Sequence, residues 1–149
     1  MRMGCGGPAV TACTKLAAAA DRLASGGFAG RRYLVEFGRE GAGIPAGPLW
    51  FVAAAAAGRN RMPGRGFSPE LDDGTSGQAR HFAGIVATTA RVGPTATRWV
   101  SVRLRRDPGA SADGRLTELA LEFATLIRSG TLHPHEAGTW ITTHLCADS

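Results

Sequence analysis

Apolar residues recur at helical spacing in several segments of this chain, and glycine and proline separate the segments. The clearest segment spans residues 113–129, where an apolar stripe lies opposite a row of charged side chains. The stripe consists of Leu116, Leu119, Ala120, Phe123, Leu126 and Ile127. Gly130 follows it, at the position where helices commonly end. Because such stripes have to be buried against one another, the pattern predicts a mainly α-helical fold.

Further helices are predicted on both sides of this segment. Residues 8–24 and 48–58 are rich in alanine, the strongest helix former, and we expect the second of these helices to be buried. Ser76 is placed to cap the next helix. A last helix begins near the His-Pro pair at residues 133–134, with His144 expected on its buried side.

Two segments leave helix and strand open. In residues 31–37 and 95–106 apolar and polar side chains alternate as they do in a strand, although the neighbouring segments are helical. We favour a helix for residues 95–106, and a small two-stranded element is the alternative. The predicted architecture is a single compact domain, residues 1–149, of five to six helices. Residues 58–77 form an internal loop rich in glycine, proline, arginine and aspartate.

Arginine dominates the positive charge of the chain. Sixteen arginines stand against one lysine, a bias typical of a GC-rich, bacterial genome. The formal net charge of +5 makes the protein basic and is compatible with an anionic partner. The candidate contacts to an anion or a nucleic acid are Arg59, Arg61 and Arg65 in one cluster, and Arg98, Arg103, Arg105 and Arg106 in another. The simpler interpretation is that these guanidinium groups are solvated surface charge.

The three cysteines, Cys5, Cys13 and Cys146, have no spacing that is typical of a zinc or redox site. We therefore expect free thiols in a reducing compartment. The residues before Cys5 hold no apolar stretch of the kind found in signal peptides. Prolines interrupt the one long uncharged run, residues 41–58. The expected protein is soluble and cytoplasmic, with no membrane span.

Three residues around the start of one helix have the most suggestive spacing. Asp72 and Asp73 form an acidic turn, and His81 follows within the first turns of the next helix. A carboxylate can orient an imidazole and raise its basicity, so the histidine with one aspartate is a candidate general base. The structural alternative is an ordinary turn whose acids complement the helix dipole, with His81 as a hydrogen-bonded core residue. The chain has no Walker phosphate loop, no Gly-x-Ser-x-Gly and no His-Glu-x-x-His sequence.

A metal site is the weaker hypothesis for the histidines. His81, His135 and a carboxylate such as Glu136 would supply three ligands, but no spacing in the sequence requires such a site. Glu136 is also placed to complement the dipole at the start of the last helix. We predict no metal and no cofactor.

Three functions are compatible with these residues. The first is a partner-binding or structural domain, with residues 58–77 and the arginine clusters as its surface and an unknown protein as its partner. The second is a small hydrolase-like domain that uses His81 with Asp72 or Asp73. The third is a nucleic-acid-binding module built on the cluster from Arg98 to Arg106.

Overall fold

The computed structural model describes residues 10–56, 58–105 and 111–147, with the backbone alone for residues 100–105. These residues form seven α-helices and one 3₁₀ turn. The helices are α1 (Ala12–Ser25), α2 (Gly30–Ala42), α3 (Trp50–Ala55), α4 (Gln78–Val92), α5 (Pro94–Arg105), α6 (Ala112–Ser129) and α7 (Pro134–His144), and the 3₁₀ turn is Pro69–Leu71. The predicted helical fold in a single compact domain is confirmed. Of the two segments that left helix and strand open, residues 31–37 lie in α2 and residues 95–105 lie in α5, while residue 106 lies outside the described residues.

Helix α4 lies at the centre of the fold. It packs against α2 on one side and α6 on the other, while α1 packs against α7. A chain of buried aromatic rings runs through the core, with neighbouring ring centroids 5.2–6.4 Å apart. The rings belong to Tyr33, Phe37, Phe82, Phe123 and Trp140. Their large buried area makes this cluster the main apolar contribution to folding.

Helices α2 and α4 approach closely because glycine lies at their contact. A Cβ at Gly41 would lie 2.5 Å from the Cβ of Ala83, which is closer than two such carbons pack. Gly38 faces Ala87 in the same way, one turn further along. The methyl groups of Ala83 and Ala87 therefore pack directly against the backbone of α2, and this contact brings α4 close to α2.

The ends of α6 and α7 match the sequence patterns. Ser111 Oγ accepts the N–H of Gly114 at 3.0 Å and so caps α6. Gly130 ends that helix in the left-handed conformation, with φ of 81°. At the start of α7 the Glu136 carboxylate accepts the N–H of His133 at 3.2 Å.

Two local predictions are wrong. Helix α4 begins at Gln78, and Gly77 rather than Ser76 is its N-cap, without a side-chain hydrogen bond. His144 is exposed instead of buried. Its ring stacks on Trp140 with centroids 4.3 Å apart, and Nδ1 lies 2.9 Å from the Trp140 carbonyl oxygen, so the imidazole covers the edge of the core from outside.

The alanine-rich segment that was expected to form a buried helix is short and exposed. Helix α3 has six residues, and none of them is buried. The exposed fractions of Leu49, Phe51 and Val52 are 66%, 56% and 54%. The prediction fails because so short a helix presents no full stripe, and α2 and α6 already cover α4. Across the described ranges, the structure holds no helix of the length and apolar character that a membrane span requires.

Two of the three cysteines are joined. Cys13, in the first turn of α1, forms a disulfide with Cys146, which follows α7. The prediction of free thiols is wrong for this pair, because α1 and α7 lie side by side and bring together cysteines 133 residues apart. Cys5 lies outside the described residues.

Candidate functional site

A cleft of about 410 Å³ opens between α3, α4 and the start of α5. Its walls are mainly apolar and include Ile44, Trp50, Phe51, Ile85 and Val92. A volume of this size, with apolar walls, is typical of small-molecule sites. One wall of the cleft is thus formed by α3, through Trp50, Phe51, Ala54 and Ala55.

Helix α3 is attached to the fold by the partly buried side chains of Trp50, Ala53 and Ala54 and by contacts from Arg91. The guanidinium of Arg91, on α4, lies 4.9 Å from the ring centroid of Trp50. The same guanidinium donates a hydrogen bond to the Pro45 carbonyl at 3.0 Å. A cation over an indole face is attracted by the ring quadrupole, so Arg91 holds α3 in place beside α4.

Polar side chains gather at the end of the cleft where α4 and α6 begin. They are Asp73, Thr75, Arg80, His81 and Asp113. The structure therefore brings together two of the candidates from the sequence, Asp73 and His81. It adds Asp113, which sequence reasoning missed because the approach of α6 to α4 leaves no local signal.

Asp73 is held as an ionised carboxylate at this end. Its Oδ1 accepts the N–H of Thr75 at 2.9 Å, the hydroxyl of Thr75 at 2.6 Å and the amide of Gln78 at 2.7 Å. Burial raises the pKa of Asp73, but the hydrogen bonds from Thr75 and Asp113 and the charge of His81 outweigh it. The pKa of Asp73 therefore lies below its ordinary value.

Asp72 has a different role from Asp73. Its carboxylate pairs with Arg65 at 2.5 Å and accepts the N–H of Gly74 at 2.9 Å. The hydrogen bond from Arg65 is the main cause that lowers the pKa of Asp72. Asp72 does not line the cleft, so Asp73 is the one of the two carboxylates that shares the cleft with His81.

His81 is half-buried and lines the cleft. Its Nε2 lies 2.8 Å from Oγ1 of Thr117, a buried residue of α6. This contact fixes the imidazole relative to α6, as the structural alternative expects. The charge of His81 is one of the causes that lower the pKa of Asp73, so the two side chains interact, as the general-base hypothesis expects. His81 is therefore held against α6 by its Nε2 atom and also lines the cleft.

Two arginines of the sequence clusters are paired with carboxylates in the described residues. Arg98 makes two hydrogen bonds to Glu118, at 2.9 and 2.8 Å, and Arg65 pairs with Asp72. Arg59 and Arg61 are exposed in the loop before α4. The side chains of Arg103 and Arg105, and Arg106 as a whole, lie outside what the structure describes.

The histidines of α7 lie at its start. His133 Nδ1 accepts the N–H of His135 at 3.2 Å, and the two rings stack with centroids 5.2 Å apart. Among residues 10–56, 58–105 and 111–147, no three or more His, Cys, Asp or Glu side chains are grouped to hold a metal ion. His81, His135 and Glu136 are therefore not brought together as ligands.

Comparison of the chain with protein-family models, with curated protein sequences and with solved structures found no match. The arguments for function therefore come from the cleft and its chemistry.

Proposed function

We propose that this chain is a small ligand-binding domain whose cleft takes an amphipathic molecule with an apolar body and a cationic head. The observation that carries the proposal is the cleft, whose apolar walls lead to Asp73, Asp113 and His81. The proposal keeps the binding role expected from the sequence. It moves the binding surface from the loop and the arginine clusters to the space between α3 and α4.

The polar end of the cleft favours a cation. Asp73 is ionised at neutral pH, and it shares a hydrogen bond with Asp113. A ligand ammonium group can donate to both of these acidic side chains. Arg80 and His81 lie at the same end, so a ligand with no more than one positive charge is the one we propose.

The apolar walls favour a planar or short aliphatic body. The rings of Trp50 and Phe51 meet edge to face with centroids 6.3 Å apart, and Phe51 keeps 56% of its surface exposed. A ligand ring against this pair would cover apolar surface of α3, at roughly 25 cal/mol for each Å² removed from water.

Three probes with the same body and different heads test this function. Tryptamine carries an ammonium group, 3-ethylindole carries no charge, and indole-3-propionate carries a carboxylate. We expect tryptamine to bind most tightly and indole-3-propionate least. The expected ratio of Kd between tryptamine and 3-ethylindole is about tenfold, the factor given by ~1.4 kcal/mol of charge-assisted hydrogen bonding. Titration calorimetry measures the three values.

A matched variant locates the binding. Asp73→Asn should weaken tryptamine by about the same tenfold and leave 3-ethylindole unchanged, because only the charged head contacts the carboxylates. Glu70→Gln, at an exposed acid of the 3₁₀ turn that does not line the cleft, is the control. Equal affinity for all three probes, or no binding of any of them, would contradict the proposal.

Acid–base chemistry on the bound molecule is a second candidate, supported by the interaction of Asp73 with His81 inside the cleft. His81 would take a proton from an attacking water, and Asp73 would stabilise the imidazolium that results. The nucleophile in this scheme is water, because Cys13 and Cys146 are bonded to each other and the hydroxyl of Thr75 already donates to Asp73. A hydrolysis rate for p-nitrophenyl esters that His81→Gln leaves unchanged would exclude it.

Two sequence-based expectations stay predictions. Nucleic-acid binding receives no support from Arg98, whose guanidinium is paired with Glu118. The cytoplasmic location is likewise untested, and the bond between Cys13 and Cys146 is of a kind that persists in oxidising compartments.

A further inference from the structure

The disulfide lies against the loop that leads to the cleft. Cys13 is fully buried, and Cys146 is 8% exposed. The backbones of both cysteines contact the stretch that begins at Arg65. The N–H of Cys13 donates to the Arg65 carbonyl at 3.4 Å, and Phe67 pairs with Cys146 in an isolated antiparallel bridge. The loop is thus held between the two residues that the bond joins.

Further hydrogen bonds attach the same stretch to the chain after α7. The N–H of Ala147 donates to the Gly66 carbonyl at 2.8 Å, and the N–H of Ser68 donates to the Leu145 carbonyl at 2.8 Å. The hydroxyl of Ser68 also lies 3.3 Å from the Leu145 carbonyl oxygen. Residues 65–68 are therefore fixed by the position of the C-terminal segment.

Residues 65–68 are connected to the cleft by polar contacts. Arg65 pairs with Asp72 at 2.5 Å. The amide of Gln78 donates to Asp72 at 3.3 Å and to Asp73 at 2.7 Å, so the two aspartates are held as one unit. Where residues 65–68 lie thus affects where Asp73 lies at the polar end of the cleft.

We propose that the Cys13–Cys146 bond is a clamp on this loop, so that the cleft has its ligand-binding form only in the oxidised protein. The inference rests on the proposed function, since it concerns the regulation of the same site. It also makes ligand binding depend on whether the compartment that holds the protein is oxidising or reducing. A protein kept reduced would retain its helices and lose the placement of Asp73.

The step that opens the clamp is thiol–disulfide exchange with a dithiol such as dithiothreitol. A reagent thiolate attacks Sγ of Cys146, the more exposed of the two cysteines, and Cys13 leaves as a thiolate. The second reagent thiol then resolves the mixed disulfide. The protein gains two electrons and two protons, and the dithiol loses the same number as it becomes a cyclic disulfide.

The experiment compares the oxidised protein with the same protein reduced by dithiothreitol. Amide chemical shifts of residues 72–75 and the titration of the His81 imidazole, both followed by NMR, report the site without any ligand. We expect the amide shifts to move and the His81 midpoint to fall, because the negative charge of Asp73 no longer lies near the ring. Tryptamine should bind about tenfold more weakly after reduction.

Two variants separate the clamp from general effects of reduction. Cys5→Ser keeps the bond and should behave as the unaltered protein does in both states. Gly66→Ala keeps the bond but displaces the loop, because Gly66 has φ of 104° and a Cβ there would collide with Thr11. It should reproduce the changes at residues 72–75 and His81 under oxidising conditions.

Unchanged shifts and an unchanged His81 midpoint after reduction would overturn the clamp. So would a loss of helix content by circular dichroism, because the bond would then support the whole fold rather than the loop. If oxidised protein binds no probe, the proposed function fails by itself. The NMR readouts still decide the coupling between the disulfide and Asp73.

Discussion

Helices α6 and α3 are both rich in apolar residues, yet one lies in the core and the other along an open cleft. Helix α6 has 18 residues, of which eight are buried, and Ser111 and Gly130 define its two ends. Helix α3 has six residues, none buried, and its N-cap position makes no side-chain hydrogen bond. Apolar content alone therefore does not decide burial. Length and well-defined ends let α6 present a complete stripe to its neighbours.

The difference in burial between α6 and α3 indicates that one part of this small domain provides its stability and another part is available for binding. The contacts of α6, α4 and α2 hold the fold together, while α3 leaves its apolar side chains available for a ligand. Substitutions in the core should accordingly lower the free energy of unfolding, whereas substitutions in α3 should mainly weaken ligand binding.

The largest difference is expected between two phenylalanines. Phe123 is fully buried and contacts the rings of Phe37, Phe82 and Trp140, so Phe123→Ala should lower the free energy of unfolding by roughly 3–5 kcal/mol. Phe51→Ala removes a ring that is 56% exposed and should change it by about 0.5 kcal/mol or less, while weakening 3-ethylindole. Urea denaturation and calorimetry measure the two effects. Similar losses of stability would show that α3 belongs to the core.

A smaller difference is expected between two glycines. Gly41→Ala would push α2 away from Ala83 of α4 and should cost roughly 1–3 kcal/mol. Gly47→Ala, just before α3, meets no atom within 4 Å and should cost about 0.5 kcal/mol or less. Thermal denaturation compares the variants. If the two melt together, the close approach of α2 and α4 does not limit the fold.

The smallest expected effect is the pH dependence that Asp73 adds. Its folded pKa lies below the ordinary value of 3.8, so its contribution is complete above that value and is lost as the pH falls through the folded pKa. The stability difference between the unaltered protein and Asp73→Asn should therefore shrink between pH 6 and pH 2. Urea denaturation across this range measures it. A difference that stays constant with pH would show that the pKa of Asp73 is the same in the folded and the unfolded protein.

The sequence predicts the parts of this fold that local patterns encode. The stripe and the glycine at the end of α6 are local, and they place that helix to within one residue at its start. The proximity of Asp73 and His81 is local as well, because a turn and the start of a helix separate them by only a few residues. Residues 31–37 left helix and strand open because every residue from Tyr33 to Gly38 is buried in α2, so no single apolar stripe marks the helix.

The missed features all depend on contacts between distant segments. Asp113 and Thr117 reach the site through the packing of α6 on α4, and no pattern near either residue announces it. The cysteine spacing did not predict the disulfide either, because the packing of α1 on α7 brings Cys13 and Cys146 together. The exposure of α3 has the same origin, because α2 and α6 take the positions on α4 that a longer helix would need.

The contrast between the glycine contact of α2 with α4 and the stacking of Arg91 on Trp50 has a consequence for the two sides of the cleft. The side formed by α4 is backed by the close packing of Ala83 and Ala87 on the glycines of α2. The side formed by α3 has only partly buried side chains and the guanidinium of Arg91 over the indole ring of Trp50 to hold it. We expect the cleft of the oxidised protein to accept ligands of different width while discriminating by charge at the end where Asp73 lies.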